Sequence, residues 1–137
     1  TGRVVSLINL QSVRELSDRL GTFVHPLRFR ANLYVEGLPA WEAFTWIGRA
    51  VTIGSMRLVG SKRIDRCAAV NVDPFTGARD LNLPRSLMQL YDSLDFGIYL
   101  KVFEAGEFGI GDEIVPGEEM PIPPIPPRPV VTATPAP

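Results

Sequence analysis

Cys67 is the only cysteine in the chain, and it stands in the run RIDRCAAVNVDPFTGARD (63–80) with Lys62, Arg63 and Arg66 just before it. A lone thiol in such a setting has two readings. It can be a small buried hydrophobe, as unreactive free cysteines are. It can also be a thiolate able to attack or to bind metal, because neighbouring positive charge favours the ionised sulfur. A second group with chemical potential is Arg28, Arg30 and Asn32 in RFRANLYV (28–35). That stretch alternates polar and apolar with period two, which predicts a half-buried strand carrying all three on one face. Two guanidinium groups and an amide there could grip an anion bidentately, or could simply be a solvated strand face. A third is Ser12-Val13-Arg14-Glu15, which fits a capping box. It is either a plain helix start or a helix start that also holds a phosphate.

The elements that must position these groups are short. Arg3 to Ile8 reads as a strand, and Leu10, Val13, Leu16 and Leu20 recur at helical spacing before Gly21. His25 precedes Pro26 in a loop and reads as a turn residue. Trp41, Phe44 and Trp46 fall in a loop or short helical turn that packs on the core as a lid. Ile47 to Ile53 is a further strand, with Gly54 and Gly60 as turn marks around Ser55 to Val59. Ala68 to Val72 after the cysteine alternates as a strand does, and Asp73-Pro74-Phe75-Thr76-Gly77 reads as a tight turn. Asn82 caps a helix with Pro84 near its first position. Phe96 to Phe103 and Phe108 to Val115 complete the strands, the last broken by Gly109 and Gly111. Many short strands with two or three short helices predict a mainly-β fold, a closed or nearly closed antiparallel barrel.

With 137 residues, the chain holds one domain's core. No apolar run approaches the roughly 18 residues of a membrane span, and no signal-peptide pattern stands at the start. One cysteine and one histidine cannot build a structural zinc site or an internal disulfide, and a reducing cytoplasm is the default compartment. Residues 28–85 carry nine Lys/Arg against five Asp/Glu, whereas residues 86–137 carry two against eight. The basic excess around Cys67 favours an anionic partner; it is too small for nucleic acid. Nine of the thirteen prolines lie in 116–137, which reads as a disordered or polyproline tail after a barrel over 1–115. The chain opens on Thr1 directly into a strand, as a piece of something longer would.

RFRAN (28–32), RC with VDP-x-TG (66–77), FGIY (96–99) and GEFGIGDEI (106–114) together resemble the MOSC domains, which include the C-terminal domain of molybdenum cofactor sulfurases and the mitochondrial amidoxime-reducing component. The resemblance implies a MOSC barrel of the pyruvate-kinase-like type and a role with molybdenum cofactor or sulfur. It implies Cys67 as molybdenum ligand and catalytic residue, and Ser12, Arg30, Asn32 and Arg66 as cofactor contacts. Fuller members carry a preceding domain with further basic contacts, so a redox or sulfur-donor protein partner is implied. The two lysines, Lys62 and Lys101, read as solvated strand positions, and no Schiff-base lysine is expected.

Three functions follow. The first is an oxidoreductase module that holds molybdenum cofactor through Cys67 and reduces N-oxygenated substrates. The second is a sulfur carrier that uses a Cys67 persulfide. The third is a barrel that binds an anion or partner with an inert cysteine, which shielding of the thiol from solvent would support.

Overall fold

The computed structural model describes residues 3–119. Its frame is one six-stranded sheet in the order β2-β1-β5-β4-β3-β6. The strands are β1 (Arg3–Asn9), β2 (Leu33–Val35), β3 (Arg49–Ile53), β4 (Met56–Asp65), β5 (Asp95–Glu104) and β6 (Ile114–Glu119). β1 and β2 run parallel, and every other neighbouring pair is antiparallel. Two helices, α1 (Leu10–Leu20) and α2 (Leu83–Tyr91), and short 3₁₀ turns interrupt the strands.

Strand spacing of about 4.8 Å would set β2 and β6 roughly 24 Å apart if the sheet were flat. Instead all six strands feed one apolar cluster, with Leu7, Val51, Leu58, Ile98 and Leu100 buried and Leu33, Val35 and Ile114 packed against them. The sheet therefore curls into an incompletely closed barrel, as the strand pattern predicts. β2 and β6 are the ends of the order and do not pair with each other. A second cluster forms outside the curl, where Val13 and Leu16 of α1 and Leu83 and Leu87 of α2 meet Ile8, Phe29 and Phe96. Both helices are held by their amphipathic faces, which supply most of a short helix's stability.

Several local expectations are corrected. The predicted strand over 28–35 is a 3₁₀ turn, Pro26–Phe29, then Arg30 at φ 48°, with β2 confined to Leu33–Val35. Proline starts the turn, and burial of Arg28 outweighs the alternation, so Arg28, Arg30 and Asn32 do not share a strand face. Ala68–Asn71 after the cysteine is likewise a 3₁₀ turn. Val70 enters the core, and the Asn71 side chain accepts the Leu83 N–H at the start of α2 at 2.6 Å. Asn9, not Ser12, caps α1, accepting the Gln11 N–H at 2.9 Å. β4 runs straight through Gly60, which is no turn: a side chain there would overlap the Trp46 carbonyl. Residues 109–112 form a turn rather than strand, with the Asp112 side chain accepting the Gly109 N–H at 2.8 Å. β6 then continues to Glu119, so residues 116–119 belong to the sheet and not to a tail. Pro116 is tolerated because β6 is an edge strand. The remainder of the expected tail, 120–137, lies outside the described residues.

Other expectations hold. Asn82 caps α2 with proline in its first turn. His25 closes its own turn through Nδ1, which accepts the Leu27 N–H at 3.0 Å. The aromatic lid is the 3₁₀ turn Glu42–Trp46, whose Trp46 is buried, while Trp41 stands edge-on to Phe96 with centroids 5.4 Å apart.

Candidate functional site around Cys67

Cys67 leaves the end of β4 and starts the 3₁₀ turn Ala68–Asn71. It is exposed. The thiol is thus not shielded from solvent.

The residue that fixes this segment is Arg66. Its backbone N–H donates to the Leu94 carbonyl at 2.9 Å, its Nε to the Phe96 carbonyl at 2.8 Å and its Nη1 to the Phe29 carbonyl at 3.2 Å. The guanidinium also lies over the Phe29 ring, 5.2 Å from its centroid. One side chain therefore ties the end of β4, the start of β5 and the turn that leads into Arg30. Its Nη2 is buried and has no hydrogen-bond partner among the described residues. Burial lowers the Arg66 pKa from its ordinary value, and the nearby Tyr99, Cys67 and Tyr34 act in the opposite direction. It remains a cation, because an arginine's ordinary value leaves a wide margin above neutrality.

Two other cations near Cys67 in sequence point elsewhere. Arg63 lies 4.0 Å over the Phe44 ring and 3.7 Å from the Asp95 carboxylate. Lys62 sits over Tyr99 at 5.7 Å. Arg66 is the cation whose charge couples to the Cys67 thiol, and it also holds the buried, unpartnered donor.

Arg30 and Asn32 are exposed and reach the same neighbourhood by another route. Arg30 directly follows Phe29, whose carbonyl Arg66 holds. Asn32 is opposite Ser6 of β1: its Oδ1 accepts the Ser6 N–H at 2.8 Å, and its own N–H donates to the Ser6 carbonyl at 3.1 Å. Ser6 in turn pairs with Tyr99, and Tyr99 with Lys62. Cross-strand partners share a face, so Asn32, Ser6, Tyr99 and Lys62 form a row across the sheet, in which Tyr99 is the member that acts on Arg66.

Arg28 and Ser12 are separated from this surface. The Arg28 side chain is 3% exposed; it makes a two-pronged pair with Asp80 at 2.8 and 2.9 Å and donates to the Asn71 carbonyl at 3.1 Å. It latches the 68–80 segment onto the Pro26–Phe29 turn and is not an anion grip. Ser12 is buried inside the first turn of α1, where its Oγ accepts the Trp41 N–H at 2.9 Å. It borders a void of only about 10 Å³ with Phe96 and Gly97.

Tyr34 and Tyr99 beside Arg66 were not foreseen from the sequence. Their outward positions in alternating strand stretches were the available signal, but the partner they flank is set by β4 and β5 pairing, which no local pattern reveals.

The chain is 30% identical over 115 residues to mitochondrial amidoxime reducing component 2 of Homo sapiens, covering 75% of this chain and 34% of that protein. It is 33% identical over 111 residues to the molybdenum cofactor sulfurase of Caenorhabditis elegans, covering 74% of this chain and 15% of that protein. It thus spans about a third or less of the curated relatives it matches. The crystal structure of YiiM from Geobacillus stearothermophilus shares the fold, with a TM-score of 0.64 at 19% identity, over 83% of this chain and 54% of that one. The MOSC domain model matches residues 1–115, nearly the whole described barrel with the Cys67 segment inside it, and the chain accordingly belongs to the MOSC domain family.

Proposed function

We propose that the surface around Cys67 holds a molybdenum–pterin cofactor, with the Cys67 sulfur as a ligand to the metal, in an oxidoreductase module acting on N-oxygenated substrates. The observation that carries this reading is an exposed thiol beside a guanidinium with a buried, unpartnered N–H. The donor chemistry fits. No group of three or more His, Cys, Asp or Glu able to hold a bare metal ion occurs among the described residues. In this reading Cys67 is one ligand of a metal whose other ligands would arrive with an organic cofactor, and a soft thiolate suits that metal. Arg30, the Asn32 amide and Arg66 are the groups that would meet the cofactor's anionic portion. Ser12, enclosed as it is, would act behind them by fixing Trp41. When bound, the cofactor supplies two-electron oxygen-atom chemistry; the chain supplies position and positive charge. Electrons come from a separate redox protein in this reading, in a reducing, cytoplasmic setting. The relatives named for amidoxime reduction support it.

The relatives named molybdenum cofactor sulfurase favour a second reading, in which Cys67 carries a persulfide received from a sulfur-donor protein. One experiment separates the two. The chain is expressed in a host that makes molybdenum cofactor, and metal and pterin are measured beside Cys67→Ser. Molybdenum with pterin in the parent, and its loss in the variant, is the expected result. If neither holds molybdenum, the cofactor reading fails for this chain, and persulfide trapping at Cys67 tests the second.

A further inference from the structure

The open seam of the barrel carries its own binding chemistry. Among the described residues β2 pairs with β1 alone and β6 with β3 alone, so each has one edge whose backbone N–H and C=O groups are not in a ladder. Between them lies a cleft of about 540 Å³ whose lining includes Tyr34, Val35, Leu38, Trp46, Ile114 and Pro116. Trp46 is 1% exposed, and its indole N–H has no acceptor among the described residues. That is unusual for a buried donor, which a native fold normally satisfies. The cleft also takes in Asp112 and Glu113, and Glu36, which Arg14 pairs at 3.0 Å from outside the lining; the lining itself has no lysine or arginine. Of the lining, Ile110 stands fully exposed.

We propose that this seam binds an extended polypeptide segment bearing a basic side chain, added as a strand between β2 and β6. Unpaired strand edges on either side of a cleft match an extended peptide better than a compact small molecule. A carbonyl of the inserted segment supplies the acceptor that Trp46 lacks. Its alternate side chains cover Leu38 and Ile114, and its cation meets the acidic lining. The proposal goes beyond the Cys67 reading and does not depend on it.

The test uses the 137-residue chain and a blocked hexapeptide of alternating valine and lysine, followed by NMR. The expected result is movement of the Tyr34, Val35, Val115 and Gly117 amides and of the Trp46 indole N–H, saturating with peptide. A glutamate-for-lysine peptide should bind about tenfold more weakly or worse, since like charges would face each other. A peptide N-methylated at alternate amides should not bind, because it cannot pair as a strand. Trp46→Phe should weaken binding severalfold, and the peptide-side controls decide the matter if that variant does not fold. Equal binding by the N-methylated or the glutamate peptide, or shifts confined to the Cys67 surface, would overturn the proposal.

Discussion

At the scale of single residues, two arginines of similar sequence context have opposite fates. Arg28 is buried and pinned by Asp80, whereas Arg30, two residues on, is exposed at a left-handed backbone position. The RFRAN stretch announced that guanidinium chemistry was present but could not say which arginine faces solvent, because Arg28's carboxylate partner lies 52 residues away. Asp73 shows a residue whose role was legible. Its Oδ1 accepts the N–H groups of Phe75 at 2.8 Å and Thr76 at 3.1 Å, as the DPFTG turn requires. Those two backbone bonds, ahead of the nearby Arg28 charge, hold its carboxyl below the ordinary value of 3.8. A carboxyl lowered in the folded state adds stability above its unfolded pKa and loses it as pH falls through the folded one. The Asp73 contribution should accordingly be complete above about pH 5 and fade below about pH 4. Asp73→Asn keeps an acceptor for both amides without titrating there. The urea midpoint of the parent should therefore decline relative to Asp73→Asn as acid is added. A difference that stays constant across that window would remove Asp73 from the turn's acid sensitivity.

At the scale of elements, the strand and helix inventory was largely readable, and the errors have a common cause. The apolar runs of β1, β3 and β5 were read correctly as strands, and ladders hold all three; period-two alternation was the unreliable signal. It misread Arg28–Val35 and Ala68–Val72, which are tied down by the Arg28–Asp80 pair and by Asn71 on α2 rather than by a ladder. Gly60 failed in the opposite sense. Glycine usually punctuates, yet here it continues β4, because the Trp46 backbone crosses directly over it and the Gly48 N–H donates to its carbonyl at 2.9 Å. Gly60→Ala must displace that backbone and should cost about 3 kcal/mol. Gly37→Ala meets nothing within 4 Å and carries only the strain of its φ of 79°, a penalty of about 1–2 kcal/mol. Urea denaturation of both variants gives the comparison. Equal losses would mean that the lid over β4 yields and is not a fixed wall of the barrel.

At the scale of the whole molecule, stability should fall from the middle of the sheet to its open ends. β5 lies between β1 and β4, and its Phe96, Ile98 and Leu100 are all buried. Among the described residues β6 pairs on one side only; its residues are exposed or half-buried, and it includes Pro116, which has no N–H to add to a ladder. β2 is three residues long. Local opening of such edges needs less free energy than global unfolding. In hydrogen exchange, the Ile98 and Leu100 amides should open only with the whole domain. The Val115 and Gly117 amides should exchange about a hundredfold faster or more, a gap of roughly 3 kcal/mol in opening free energy. The Cys67 surface belongs to the slow half, since Arg66 bonds to the Phe96 and Leu94 carbonyls at the start of β5. The Cys67–Arg66 half of the candidate site therefore sits on the best-anchored part of the sheet, while Asn32 adjoins β2, one of the two open ends. Uniform protection across β5 and β6 would contradict this division and would mean that the edges unfold with the core as one unit.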